Sequence, residues 1–194
     1  MKKQHRPSPR RNSSSRKRHS EAPRFNDAPG GSLDQITQLA PDPAAPIPAV
    51  VLKHRISQTA VFRKQIDTVD GARAGDLVAV YSKTKQLIGY GLYNSRSEMA
   101  LRMLWRSSEL PTDASWTEKL ESAVQLRRDV LRVDADADTY RVLHAEADGM
   151  PGLMVDRFGD VLSAEAFSLG MYRRASALLD RLASRRRVSW TSRT

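Results

Sequence analysis

Four short apolar runs set the first pattern in the chain. VVLKHRI, DLVAVYS, QLIGYGLYN and EMALRMLW follow one another between residues 50 and 105, separated by turn signals such as Arg73-Ala74-Gly75. In the last run Met99, Leu101, Met103 and Trp105 alternate with Ala100, Arg102, Leu104 and Arg106, the period of two of a half-buried strand. Arg102 and Arg106 then share the outer face. Short strands at this spacing, with one helical or turn segment near 59–64, predict a small β-barrel-like domain over 50–110.

The period changes in SWTEKLESAVQLRRDVLRV, where Trp116, Leu120, Ala123, Val124 and Leu131 fall on one side with Val130 beside them. That is a helix, and Ser115 and Glu118 stand at capping-box spacing at its start. RVLHAE, GLMVDRF and VLSAEAF are three further strands, and a second helix begins after Ser168. On that helix Met171, Ala175, Leu178, Leu179 and Leu182 share one face, while Arg173, Arg174 and Arg181 lie largely on the other. The fold class is therefore α+β: a small barrel followed by a second unit over 111–184 built on a three-stranded meander.

The ends read differently. After Met1 the segment KKQHRPSPRRNSSSRKRHS has no apolar residue to bury and is expected to be disordered. It reads as a non-specific nucleic-acid-binding arm acting through phosphate neutralisation, with a solvated tail and a targeting signal as the alternatives. Pro29, Pro41, Pro43, Pro46 and Pro48 make the rest of 1–49 a semi-extended linker. Residues 185–194 lose the apolar period and form a basic, irregular tail.

Charge divides the folded part. The formal net charge of +10 comes largely from the ends: residues 1–24 hold nine Lys/Arg against one acid, and 170–194 hold seven against one. Between them, 50–110 carry ten basic residues against five acidic, and 111–169 carry six against twelve. One half attracts polyanions and the other does not. Lys53, Arg55, Arg63, Lys64, Arg96, Arg102 and Arg106, with His54 among them, are the candidate phosphate contacts, with a set of solvated charges as the alternative.

Other chemistry is sparse. With no cysteine and four scattered histidines, the chain has no thiol nucleophile or disulfide, and no metal site is expected. No run reaches the roughly 18–20 apolar residues of a membrane span, so the expected location is the cytoplasm. Gly89-Tyr90-Gly91 lacks the third glycine and following helix of a dinucleotide loop. His144 reads as a structural residue in an alternating strand.

The stretch EADGMPGLMVDRFGD, 146–160, is the most concentrated feature. Gly and Pro in Asp148-Gly149-Met150-Pro151-Gly152 allow a sharp reversal, and Gly159-Asp160 a second. The acids are then turn residues. The functional alternative makes Glu146, Asp148 or Asp156 a general base or metal ligand.

This stretch resembles the E-x-DGLPGL-x-VDR-[FY]-G segment of the S-adenosylmethionine-dependent 23S rRNA cytosine-C5 methyltransferases, and GDLVAVYS and GYGLYNSRSEMALRML are similar to the region before it in that family. The resemblance runs from about residue 50 to 182. It implies that 50–110 are a PUA domain, a small RNA-binding β-barrel, and that 111–184 are the family's central connecting domain. It also implies large-subunit rRNA as the partner and S-adenosylmethionine as the cofactor of the full-length family.

Two departures stand out. Gln58-Thr59-Ala60 replace the family's His-Pro-Trp. The catalytic half, with its cysteine nucleophile and glycine-rich cofactor loop, has no counterpart here, so no cofactor is expected for this chain. The abrupt turn to Arg, Ser and Thr in ASRRRVSWTSRT raises the expectation of a shifted frame or an early stop, which the other reading frames beyond codon 182 would test. The leading expectation is an RNA-recognition portion without catalysis. Its rivals are a non-enzymatic ribosome-assembly adaptor, whose acidic half holds a protein partner, and a truncated product without a role.

Overall fold

The computed structural model describes residues 34–186 and 189–190; the basic arm before them and most of the closing tail lie outside the described residues. Six strands form the first sheet: β1 (Ala49–Leu52), β2 (Ala60–Val61), β3 (Ile66–Asp70), β4 (Leu77–Tyr81), β5 (Leu87–Tyr93) and β6 (Leu101–Trp105). Their order is β2-β6-β5-β4-β1-β3, antiparallel except for the β1–β4 pair. The sheet curls into a half-barrel around Val50, Leu52, Val61, Val78, Val80, Leu101 and Met103.

The second unit begins with α1 (Asp113–Gln125) and a one-turn helix, α2 (Val133–Asp136). Then β7 (Thr139–His144), β8 (Leu153–Phe158) and β9 (Val161–Ala166) form an antiparallel meander. After α3 (Leu169–Tyr172) and α4 (Ala175–Arg186), β10 (Ser189–Trp190) adds to β9 in parallel. The α+β class and the meander read from the sequence are present.

Two apolar clusters meet at β4, which is buried on both faces, and one of them joins the two sheets. Val78 and Val80 point into the half-barrel, while Leu77 and Ala79 pack with Trp116, Leu120, Leu153, Leu178 and Leu182 of the second unit. A continuous apolar run, LVAVY, is the composition such a strand needs. One adjoining segment completes the cover. Leu39, in the stretch read as linker, is 2% exposed within this core, and the segment around it is held by Ile36 N–H donating to the Arg173 carbonyl at 2.6 Å.

Several local expectations need correction. Trp105 does not continue the Leu101/Met103 face. The β5–β6 ladder pairs Tyr90 with Trp105 and Gly91 with Met103, so Leu104 is an extra residue in a bulge that turns the next side chain to the opposite face. Trp105 therefore leaves the barrel side and meets Trp116 edge to face, ring centroids 4.7 Å apart. Glycine makes the close approach possible: a Cβ at Gly89, where φ is +151°, would lie 2.0 Å from the Trp105 carbonyl oxygen.

The cap of α1 is Thr112 rather than Ser115. Thr112 accepts from the Ser115 N–H, and Ser115 returns the bond to the Thr112 N–H, so the box is set one turn earlier than the Ser115/Glu118 reading. Further on, residues Leu126–Val130 widen into a π turn. The extra residue per turn rotates the positions beyond it, and Leu131 and Val130 end up 59% and 70% exposed instead of on the core face.

Arg174 is the largest departure. Expected on the polar face of the second helix, it is 4% exposed. Its Nη1 donates to the carbonyls of Gly75 and Gly170, both at 2.9 Å, and its guanidinium lies 5.8 Å from the Trp116 ring centroid. Burial, with Arg173 adding to it and Asp76 opposing, pushes its pKa down to about 10, which leaves it charged at neutral pH.

Candidate nucleic-acid interface

The predicted basic residues fall into two groups. Lys53, Arg55, Lys64 and Arg96 are exposed around one end of the half-barrel. Two hydrogen bonds tie the segments of Lys53 and Lys64 together. Lys53 Nζ donates to the Lys64 carbonyl at 3.0 Å, and the Lys53 N–H donates to the Gln65 carbonyl at 2.9 Å. A short 3-10 turn, Arg63–Gln65, presents Lys64. It is closed by Gln65 Oε1, which accepts from the Phe62 N–H at 2.8 Å.

Arg63 organises this end. Its Nη2 donates to the carbonyls of Ser95 and Ser97 at 3.1 and 3.0 Å, its backbone N–H donates to the Glu98 carbonyl at 2.8 Å, and its guanidinium approaches the Glu98 carboxylate at 3.8 Å. These bonds pin the loop that carries Arg96 against the turn that carries Lys64. Phe62, passed over in the sequence because it stands alone, is 42% exposed beside Arg63 and Lys64. An aromatic interleaved with cations was the signal available for it.

The other two arginines serve elsewhere. Arg106 is exposed, and its Nη2 donates to the Gln58 carbonyl at 2.8 Å, fastening the loop in which Gln58-Thr59-Ala60 lie. Arg102 faces the second unit, with its side chain 16% exposed and paired to Glu146 at 2.8 Å. It lines a narrow cleft between the two units, opposite Phe167 and Ser168 and beside Tyr93, Asn94 and Ser97. Burial raises the Tyr93 phenol above its ordinary value, with the nearby Arg63 charge opposing, so it stays protonated at neutral pH.

The carboxylates of the 146–160 stretch are occupied. Asp148 receives Arg127 Nη1 at 2.5 Å, both side chains being nearly buried, and its other oxygen accepts from the His144 N–H. Asp156 holds Arg141 through two bonds at 2.8 and 3.0 Å, and Glu146 holds Arg102. Glu146 and Asp148 lie in a 3-10 turn, Ala145–Asp148, rather than on a strand. Its reversal is completed by Gly149 at φ +66°. The stretch is a clamp of ion pairs around a turn.

Gly170, at the start of α3 after β9, offers no glycine cradle for a nucleoside cofactor. A phosphate or methionine cradle of the doubly wound kind needs glycine between a parallel strand and a helix. The one described glycine near such a place is Gly170, and its Cα packs so closely on Leu92 that a Cβ would lie 2.9 Å away. Among the described residues no group of three His, Asp or Glu is placed to hold a metal ion.

Comparison with known proteins bears on the first unit most directly. A PUA-like domain model matches residues 57–106. The half-barrel is a PUA-like domain. The ribosomal RNA large subunit methyltransferase of Deinococcus radiodurans is 34% identical over 117 residues, covering 57% of this chain and 28% of that protein. The ribosomal RNA large subunit methyltransferase I of Photobacterium profundum is 29% identical over 124 residues, 63% of this chain and 31% of that protein. The chain is thus homologous to large-subunit rRNA methyltransferases and spans less than a third of the length of these two relatives.

Solved structures agree on the fold. A candidate SAM-dependent methyltransferase from Streptococcus mutans superposes with a TM-score of 0.54 over 70% of this chain and 37% of its own, at 10% identity. A second candidate methyltransferase, complexed with SAH, gives the same score over 70% of this chain and 36% of its own, at 9% identity. The PUA-like domain and the meander unit together therefore have a counterpart in solved structures.

Proposed function

We propose that this chain is the RNA-recognition part of a protein that methylates large-subunit rRNA with S-adenosylmethionine, at a cytosine C5 position. The PUA-like match supports this most strongly, because 57–106 lies within the half whose charge balance is positive. In this reading Lys53, Arg55, Lys64, Arg96 and Arg106 contact phosphates, Arg63 holds their loops in register, and Arg102 contacts RNA from the cleft. The basic arm of residues 1–24 adds non-specific affinity. This reading assigns neither methyl transfer nor cofactor binding to the described residues.

Filter binding of a structured large-subunit rRNA fragment at 50 and 200 mM salt tests the reading. Affinity should fall steeply, by roughly a hundredfold or more if several phosphates are contacted. Absent or salt-independent binding contradicts it. Titration with S-adenosylmethionine should show no saturable heat.

A further inference from the structure

The cleft between the two units contains features that phosphate binding does not explain. Phe167 is 54% exposed. Its backbone is held in place, since its N–H donates to the Gly152 carbonyl at 2.8 Å and the next residue, Ser168, caps α3. Across from it stand Asn94 and Ser97, on the loop that Arg63 pins through two carbonyls. Arg102 lies alongside, with one of its five N–H donors directed to Glu146. The cavity holds only about 20 Å³, room for a water and not for a base. A planar ligand would therefore lie over the rim, on the Phe167 ring.

We propose that this rim is a single-nucleotide site for unpaired RNA, in which one base stacks on Phe167 while Ser97 and the amide NH2 of Asn94, whose Oδ1 accepts from the Arg96 N–H at 3.0 Å, face its polar edge and Arg102 flanks its phosphate. An exposed aromatic beside hydrogen-bonding side chains and a guanidinium group is the chemistry of single-stranded RNA recognition, because every base has a face to stack and duplex bases are already stacked. The site needs both units: the PUA-like domain supplies Asn94, Ser97 and Arg102, and the meander unit supplies Phe167. The inference rests on the RNA-binding reading above.

The test compares a labelled 12-nucleotide single-stranded RNA with a 12-base-pair RNA duplex, by fluorescence anisotropy, on the full chain and its F167A and F167Y variants. F167A should weaken single-strand binding about tenfold, the usual effect of losing one stacking platform, and leave duplex binding unchanged. F167Y should restore it. A 2-aminopurine in the single strand should change emission on binding the full chain and not F167A. Equal loss on both RNAs, or no loss on either, overturns the nucleotide site while leaving the RNA-binding reading standing. Failure of the unsubstituted chain to bind either RNA overturns that reading and this site with it.

Discussion

Arg174 reaches across 99 residues of sequence to donate a hydrogen bond to the carbonyl of Gly75. The turn at Gly75 belongs to the PUA-like half and Arg174 to the junction of α3 and α4, so this guanidinium fastens one unit to the other. Gly75 has φ +93°, a conformation that favours glycine, and a Cβ there would lie 3.0 Å from Arg173 Cδ, the neighbour of Arg174. R174A removes both bonds to the carbonyls of buried Gly75 and Gly170. It should lower stability by about 2–4 kcal/mol, read as a lower urea midpoint at unchanged slope. A variant as stable as the parent would show that the contact is incidental.

The bulge at Leu104 makes a second prediction. Gly89 must approach the Trp105 carbonyl so closely that any side chain collides. G89A should cost about 3 kcal/mol or more, because it adds a clash to an unfavourable φ. Thermal unfolding checks this. In W105A, by contrast, the edge-to-face contact with Trp116 is lost and a cavity opens, for about 3–5 kcal/mol.

The acidic turn is predicted to be structural. D148N weakens the nearly buried pair with Arg127 and the bond to the His144 N–H, and should destabilise by about 3 kcal/mol. RNA affinity measured well below the melting temperature should not change. A loss of affinity with unchanged stability would instead place Asp148 at a functional surface.

The sequence carried much of this fold and little of its joints. Period two in EMALRMLW and apolar spacing in the helices located β6, α1 and α4, because each buries one face. What escaped was every feature decided by a distant partner. The bulge that turns Trp105 depends on Gly89 in the neighbouring strand. The burial of Arg174 depends on Gly75, and nothing local separates it from Arg173 or Arg181. Leu39 sits among prolines and alanines that read as linker, yet a core built by other segments receives it. The basic residues of 50–110 could be counted in the sequence, but composition could not separate Lys64 and Arg96, which are exposed, from Arg63, which holds the loops in place.

That distinction yields a further prediction. R63A should loosen the loop at 94–99, seen as faster amide hydrogen exchange at Ser95 and Ser97. RNA affinity should drop at all salt concentrations, with little change in the salt slope, since Arg63 positions other cations.

The central claim is that the exposed cations of the PUA-like domain bind RNA phosphates. It is tested most directly by the slope of log affinity against log salt for the full chain and for the K53Q/K64Q/R96Q variant. The account predicts a slope shallower by about 2 in the variant, from three lost contacts at about 0.7 each on single-stranded RNA. An identical slope in the two proteins would contradict it.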